Sequence, residues 1–283
     1  MRWAIRPVAL GLGLALVGSA QQSSGTPPGR TCAQMEQFLR KGRIGTLHEI
    51  PKGTTLPKRA TIDYENASHD AAIQTVDVTK PFNETADGTE LNFRDSWKYN
   101  VAGYELAKML ELNMVPPYIE RSAGGQTGSF SWWVEGTMME SERIRKKIDP
   151  PDQDAWNKQI HAVRVFHELI YDTDPNMTNL LITKEDWQIW IIDFTRAFRM
   201  MKDLRHPRNL TQCDRKLLAR IRGLDKSGVK TKLSRWLTGP EIDGLIARAA
   251  KIAEHFDREI AAQGEAAVLY DLPRASQACG VGL

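Results

Sequence analysis

The sequence is poor in the features that most quickly assign a function. It has three cysteines in 283 residues, at positions 32, 213 and 279. Their wide spacing fits no metal motif, and an odd count leaves at least one thiol unpaired within a monomer. Whether Cys32 or Cys279 pairs with Cys213 stays open at this level, and no essential bridge is expected. Charge of one sign is also lacking: 38 Lys and Arg stand against 35 Asp and Glu, so no basic field calls for nucleic acid or an anionic membrane. No internal repeat appears at solenoid or propeller periods. His161 and His167 lack the four-residue spacing and third ligand of a helical zinc site, which makes them structural. What the chain does have is a 41% hydrophobic content with eight Trp, the composition of a globular protein with a substantial core.

The first 20 residues form a separate unit. Arg2 and Arg6 precede a short apolar run, Val8 to Val17, and Gly18-Ser-Ala20 ends it in small residues. That is the layout of a secretory signal peptide cleaved near Ala20, with an uncleaved anchor as the alternative. The run is too short for a comfortable membrane span, so the expectation is an exported protein, periplasmic or extracellular, with no stable span after cleavage. Residues 21–30, QQSSGTPPGR, read as a polar linker.

Chemistry concentrates between Tyr171 and Phe198. Asp174 is followed five residues later by Asn179, then by two apolar runs, LLI and WQIWII, separated by a polar turn; the second run delivers Asp193 directly onto Phe194. Phosphoryl transfer from a nucleotide needs such a set: one carboxylate to orient the attacking hydroxyl, and an amide and a second carboxylate to hold magnesium against the phosphates. A long amphipathic helix, from Asp152 or Asp154 to Ile170, leads into the segment. Asn176 can brace the loop or reach the substrate. Each feature also has an ordinary reading, since acids and amides are common in helix-to-strand turns and at strand ends.

In order, spacing and position, this segment resembles the catalytic core of the protein-kinase-like superfamily, nearest its atypical branches: HipA-type, phosphoinositide-kinase-like and secreted kinases. Asn92-Phe-Arg-Asp-Ser-Trp-Lys98, Ala102-Gly-Tyr-Glu-Leu106 and Met114-Val-Pro-Pro117 resemble a group of largely uncharacterised bacterial kinase-like proteins. The likeness covers roughly residues 45 to 270. It implies an α+β, two-lobed protein-kinase-like fold, with a small β-rich N-lobe over 31–135 and a larger helical C-lobe over 136–270. A tail, 271–283, carries no periodic signal. The resemblance further implies ATP and Mg2+ as cofactors, Asp174 as the catalytic acid, and Asn179 and Asp193 as metal ligands.

The N-terminal half departs from that pattern. Pro51-Lys-Gly-Thr-Thr-Leu-Pro57 stands where a glycine-rich turn covers the phosphates, but only Gly53 is present. Strands are expected at Lys58 to Tyr64 and Ala71 to Val78. On the second, Gln74 occupies the place of the phosphate-contacting lysine. It either donates an amide hydrogen to phosphate or merely faces outward, and Lys80, just past the strand, is a candidate substitute. A helix expected over Arg94 to Leu112 offers Asn100 and Glu105 for the glutamate that normally pairs with that lysine. The resemblance favours Asn100, since related atypical kinases often carry that glutamate just before an Ala-Ala-Tyr-like triplet. A Gln74–Asn100 pair is also self-consistent, because two neutral amides can bond each other. After a strand at Val115 to Glu120, a partner strand ends at Trp133, Val134 and Glu135, whose backbone is expected to bond the adenine edge. Thr195 replaces the glycine of Asp-Phe-Gly, and Pro175 stands where many relatives carry a basic residue beside the catalytic acid.

Three functions remain open from sequence. One is an ATP- and magnesium-dependent phosphotransferase acting on a hydroxyl-bearing protein, lipid or small molecule. The second is an enzyme of the same fold that transfers AMP. The third is a non-catalytic binding or scaffold protein, favoured by Gln74 and opposed by the intact Asp174, Asn179 and Asp193.

Overall fold

The computed structural model describes residues 30–49, 57–85 and 88–272. The signal-peptide expectation, Gly53 and its loop, Cys279 and nearly all of the tail lie outside the described residues.

The N-terminal part is an antiparallel sheet with two helices. Helix α1 (Cys32–Lys41) starts at a capping box, in which the Thr31 hydroxyl meets the Gln34 N–H and the Gln34 side chain reaches back to the Thr31 N–H. Five strands follow: β1 (Arg43–Glu49), β2 (Lys58–Tyr64), β3 (Ala67–Gln74), β6 (Tyr118–Ala123) and β7 (Gln126–Trp132), in the spatial order β1-β2-β3-β7-β6. Their inner faces and α1 enclose a small core of Phe38, Leu39, Ile62, Ile73, Ile119 and Phe130. Between β3 and helix α2 (Lys98–Met109) the chain makes a separate two-stranded ribbon, β4 (Asp77–Thr85) and β5 (Gly88–Ser96).

That ribbon corrects the sequence-based boundaries. The strand expected to run to Val78 stops at Gln74, and residues 94–96, expected in the helix, are strand. Pro81 and the left-handed Asn92 (φ 53°) hid the ribbon, because both are unfavourable in a strand. Both are tolerated because a two-stranded ribbon leaves free edges.

The C-terminal part is helical. Strand β8 (Thr137–Met139) opens it and pairs with β9 (Leu180–Thr183), which pairs with β10 (Ile189–Ile191). Helices α3 (Glu140–Lys146), α4 (Gln153–Ile170), α5 (Arg215–Arg222), α6 (Lys226–Leu233) and α7 (Gly239–Gln263) surround the larger core. Aspartates 152, 214 and 225 cap three of them, each accepting the N–H three residues on. Buried Arg248 on α7 ties the lobe together by donating to the carbonyls of Leu169, Arg199 and Met201. Its burial lowers its pKa to about 10. Cys213 is a buried free thiol, which excludes both pairings that involve it. Among the described residues no helix is long and apolar enough to cross a membrane.

Candidate active site

Helix α4 ends at Tyr171, whose left-handed backbone (φ 49°) turns the chain into the loop that carries Asp174. Asp172 is the brace of that loop. One carboxylate oxygen lies 2.8 Å from His167 Nδ1 on α4, and the other accepts the Asp174 N–H at 3.0 Å. Arg205 donates to the Asp172 carbonyl. Asp174 itself is open, with a side chain 46% exposed; Asn176 Nδ2 is 3.4 Å from its Oδ1 and Arg196 Nη1 is 3.5 Å from its Oδ2. A carboxylate held this loosely keeps a free face for an incoming hydroxyl.

Asn179 and Asp193 flank the β9–β10 hairpin, one just before β9 and the other just after β10. The Ile192 N–H donates to the Asn179 carbonyl at 3.0 Å, which sets the two side chains on neighbouring backbone. The Asn179 side chain is partly exposed and makes no hydrogen bond among the described residues. Asp193 has a left-handed backbone (φ 60°), a strained geometry that aspartate tolerates better than most residues. Its N–H approaches the Tyr118 hydroxyl at 3.3 Å, and its Oδ1 accepts from Thr195 Oγ1 at 3.1 Å. Protein atoms crowd the carboxyl, and this desolvation raises its pKa. Hydrogen bonds from Gln74 and Thr195 pull it down, and the Asp95 carboxylate adds to the rise.

Across the cleft the chemistry is neutral. Fully buried Asn100 on α2 donates from Nδ2 to Gln74 Oε1 and, at 3.2 Å, to Ser129 Oγ, while its Oδ1 accepts the Phe194 N–H at 2.7 Å. An amide can donate and accept at once, whereas a glutamate here would offer only acceptors. Asn100 therefore ties β3, β7 and the residue after Asp193 together without burying a charge. Gly103, one turn further along α2, makes room for this: a Cβ there would lie 2.7 Å from the Phe194 ring. That ring is buried and packs edge-on to Phe166, with centroids 5.7 Å apart. Glu105 stays outside the cluster, in an ion pair with Lys108.

Two sequence-based placements change. Lys80 lies on the ribbon; its ammonium is 3.3 Å from Asn83 Oδ1 and 5.7 Å from the centre of the Phe93 ring. Among the described residues it makes no hydrogen bond or ion pair with Gln74, Asn100 or Asp193. Trp133 has its backbone already engaged: its N–H donates to the Asp70 carbonyl at 3.1 Å, and its carbonyl lies 2.8 Å from His69 Nε2. Of the other two hinge candidates, Val134 accepts at its carbonyl from the Thr137 hydroxyl at 3.4 Å, and the Glu135 carboxylate lies 3.7 Å from Arg59. Trp132 packs inside the small core, stacked on His69 at 3.6 Å.

Asp95, although within the Asn92–Lys98 motif, and Arg196 are not singled out as site residues by the sequence. Arg196 Nε is 3.2 Å from Asp95 Oδ2, so its guanidinium bridges Asp95 and Asp174. Among the described residues no cluster of three or more His, Cys, Asp or Glu is arranged for a metal. The Asn179 amide and the Asp193 carboxylate, carried on neighbouring backbone, are hard oxygen ligands of the kind magnesium takes, so the residue types fit that ion.

No protein-family model matches this chain, and no curated protein matches it in sequence. Solved structures do. The structure of hydra Fam20 with sugar aligns over 85% of this chain and 92% of its own length, with a TM-score of 0.60 and 11% identity. The Golgi casein kinase aligns over 86% of this chain and 79% of its own, with a TM-score of 0.63 and 12% identity. The chain has an atypical protein-kinase-like fold: an antiparallel-sheet N-terminal part joined to a helical C-terminal part.

Proposed function

We propose that this protein is an exported phosphotransferase that uses ATP and magnesium to phosphorylate a hydroxyl-bearing substrate. The observation that carries the reading is the placement of an open Asp174, a free Asn179 amide and an enclosed Asp193 around one β-hairpin in a kinase-like fold. Magnesium, held by Asn179 and Asp193, would neutralise charge on the transferred phosphate. Asp174 orients the acceptor hydroxyl and takes its proton as the oxygen bonds to the γ-phosphorus and the bond to the ADP oxygen breaks. Arg196, beside Asp174, brings positive charge to the same end of the cleft. Of the two structural neighbours, one was solved with a sugar and the other is a casein kinase, which supports a sugar or protein hydroxyl as acceptor.

A second reading rests on the Gln74–Asn100 pair. Without a lysine to fix the α- and β-phosphates, the nucleotide can expose its α-phosphorus, and the product would carry AMP. Incubating the protein with ATP, magnesium and candidate acceptors, then weighing the acceptors by mass spectrometry, separates phosphate from AMP transfer. No mass change with any acceptor, together with no nucleotide-dependent rise in melting temperature, would leave a binding or scaffold role.

A further inference from the structure

The ribbon residue Asp95 is the least explained charge in the molecule. Its side chain is 7% exposed, and only Oδ2 is engaged, by Arg196. Oδ1 is buried with no hydrogen-bond partner. Burying half of a carboxylate unsatisfied is costly, and such a group calls for a ligand that the protein atoms do not supply. Its place in the fold indicates which. The Ser96 N–H donates to the Thr195 carbonyl at 2.8 Å, so the end of β5 runs directly beside the Asp193–Phe194–Thr195 segment. The charge of Asp95 is felt at the Asp193 carboxyl. The N-terminal residues bonded to Asp193, Tyr118 and Gln74, are neutral, and Arg196 is the cation that meets Asp95.

We propose that Asp95 is a further carboxylate ligand of the divalent-cation site, acting with Asp193 and Asn179 so that the protein binds the cation before any nucleotide arrives. This rests on the metal-site reading of Asp193 and Asn179 given above. In an ordinary kinase arrangement the amide and the carboxylate come from the catalytic hairpin, and the nucleotide phosphates complete the ion's coordination. Here a donor enters from the N-terminal side, out of the ribbon between β3 and α2. Two carboxylates and an amide are hard oxygen donors with enough charge to hold a divalent ion without phosphates. Occupation would satisfy Asp95 Oδ1 and weaken its hold on Arg196, leaving that guanidinium to Asp174 and the substrate end of the cleft.

The test is Mn2+ binding to the full chain without nucleotide, followed by calorimetry and by the loss of the free-ion paramagnetic signal. The native protein is expected to bind one Mn2+, and both Asp95→Asn and Asp193→Asn to bind it at least tenfold more weakly. In EDTA, Asp95→Asn should melt at or above the native temperature, because an unsatisfied buried charge has become a neutral amide. Added Mn2+ should raise the melting temperature of the native protein and not of this variant. Should Asp95→Asn not fold, Arg196→Gln serves instead: removing the competing cation should tighten Mn2+ binding. Native affinity in Asp95→Asn, or unchanged affinity in Arg196→Gln, would overturn the assignment. A native protein stabilised by ATP with Mn2+ but not by Mn2+ alone would also overturn it while leaving the phosphotransferase reading intact. Stabilisation by Mn2+ alone with no response to any nucleotide would do the reverse.

Discussion

The two walls of the cleft are made of opposite chemistry. On the C-terminal wall stand a half-exposed carboxylate, Asp174, a partly exposed amide, Asn179, and an enclosed carboxylate, Asp193. On the N-terminal wall, Gln74, Asn100 and Ser129 are buried, neutral and bonded to one another. On the first wall the Asn179 side chain makes no hydrogen bond among the described residues, and the Asp174 carboxylate is held only by long contacts to Asn176 and Arg196. The second has spent its hydrogen bonds on holding the fold, because Asn100 reaches the Phe194 N–H and so fixes the backbone next to Asp193. The contrast teaches that the residue after Asp193 is fixed here by neutral hydrogen bonds, at positions where ordinary kinases carry a phosphate-contacting lysine and its glutamate partner. A neutral pair avoids the desolvation penalty of burying two charges.

The largest expected effect lies on the open wall. Asp174→Asn should lower phosphoryl transfer by about 10²–10⁴-fold, the range for loss of a general base. Nucleotide affinity should stay near native, since Asp174 is half exposed and supports little structure. A steady-state comparison of turnover with a separate binding titration checks this.

Next comes the neutral wall. Asn100→Glu places a carboxylate in a fully buried site with no cation beside it. Urea unfolding should show a loss of about 3–5 kcal/mol, as for other unpaired buried charges. Combining it with Gln74→Lys should recover part of that loss, with a coupling of about 0.5–3 kcal/mol in the double-mutant cycle. Strict additivity would mean that the two positions do not form one unit.

Smaller again is Gly103→Ala, which joins the walls through Phe194. Its methyl group would stand 2.7 Å from the ring. The overpacking cost of about 1–3 kcal/mol should exceed the roughly 0.5–1 kcal/mol that alanine gains over glycine inside a helix. Lower nucleotide affinity should accompany the lower stability, because the ring carries Asp193 with it.

The smallest effect is a pH dependence in the N-terminal part. Burial depresses the pKa of His69 below its ordinary 6.5, although the Trp133 carbonyl and Glu135 oppose the shift. A histidine with a depressed folded-state pKa contributes stability above its unfolded value, and that contribution is lost as pH falls through the folded value. Melting temperature should therefore decline below about pH 6.5, and His69→Phe, which keeps a ring against Trp132, should flatten that part of the profile.

These two walls were not equally legible in the sequence. The hairpin from Tyr171 to Phe198 was readable because its acids and amide lie within one short stretch, where spacing carries the geometry. The start of α4 at Asp152 or Asp154 was readable because caps are local, and the cap falls on Asp152. The Gln74–Asn100 pairing was accessible once the two positions were set against a kinase-like frame. By contrast, the ribbon was hidden by Pro81 and Asn92, and with it the position of Asp95. The Asp95–Arg196–Asp174 bridge joins residues 101 and 22 positions apart. No local pattern predicts such a contact; it exists only because β5 is laid along the Asp193 segment. The engagement of the Trp133 backbone by His69 and Asp70 is likewise a product of strand register.

The measurement that most directly tests the central claim is the melting temperature of the full chain with ATP and magnesium, for the native protein and for Asp193→Ala. A rise in the native protein that is absent in the variant is the predicted result. No rise in the native protein, or an equal rise in both, would contradict a nucleotide site built on Asp193.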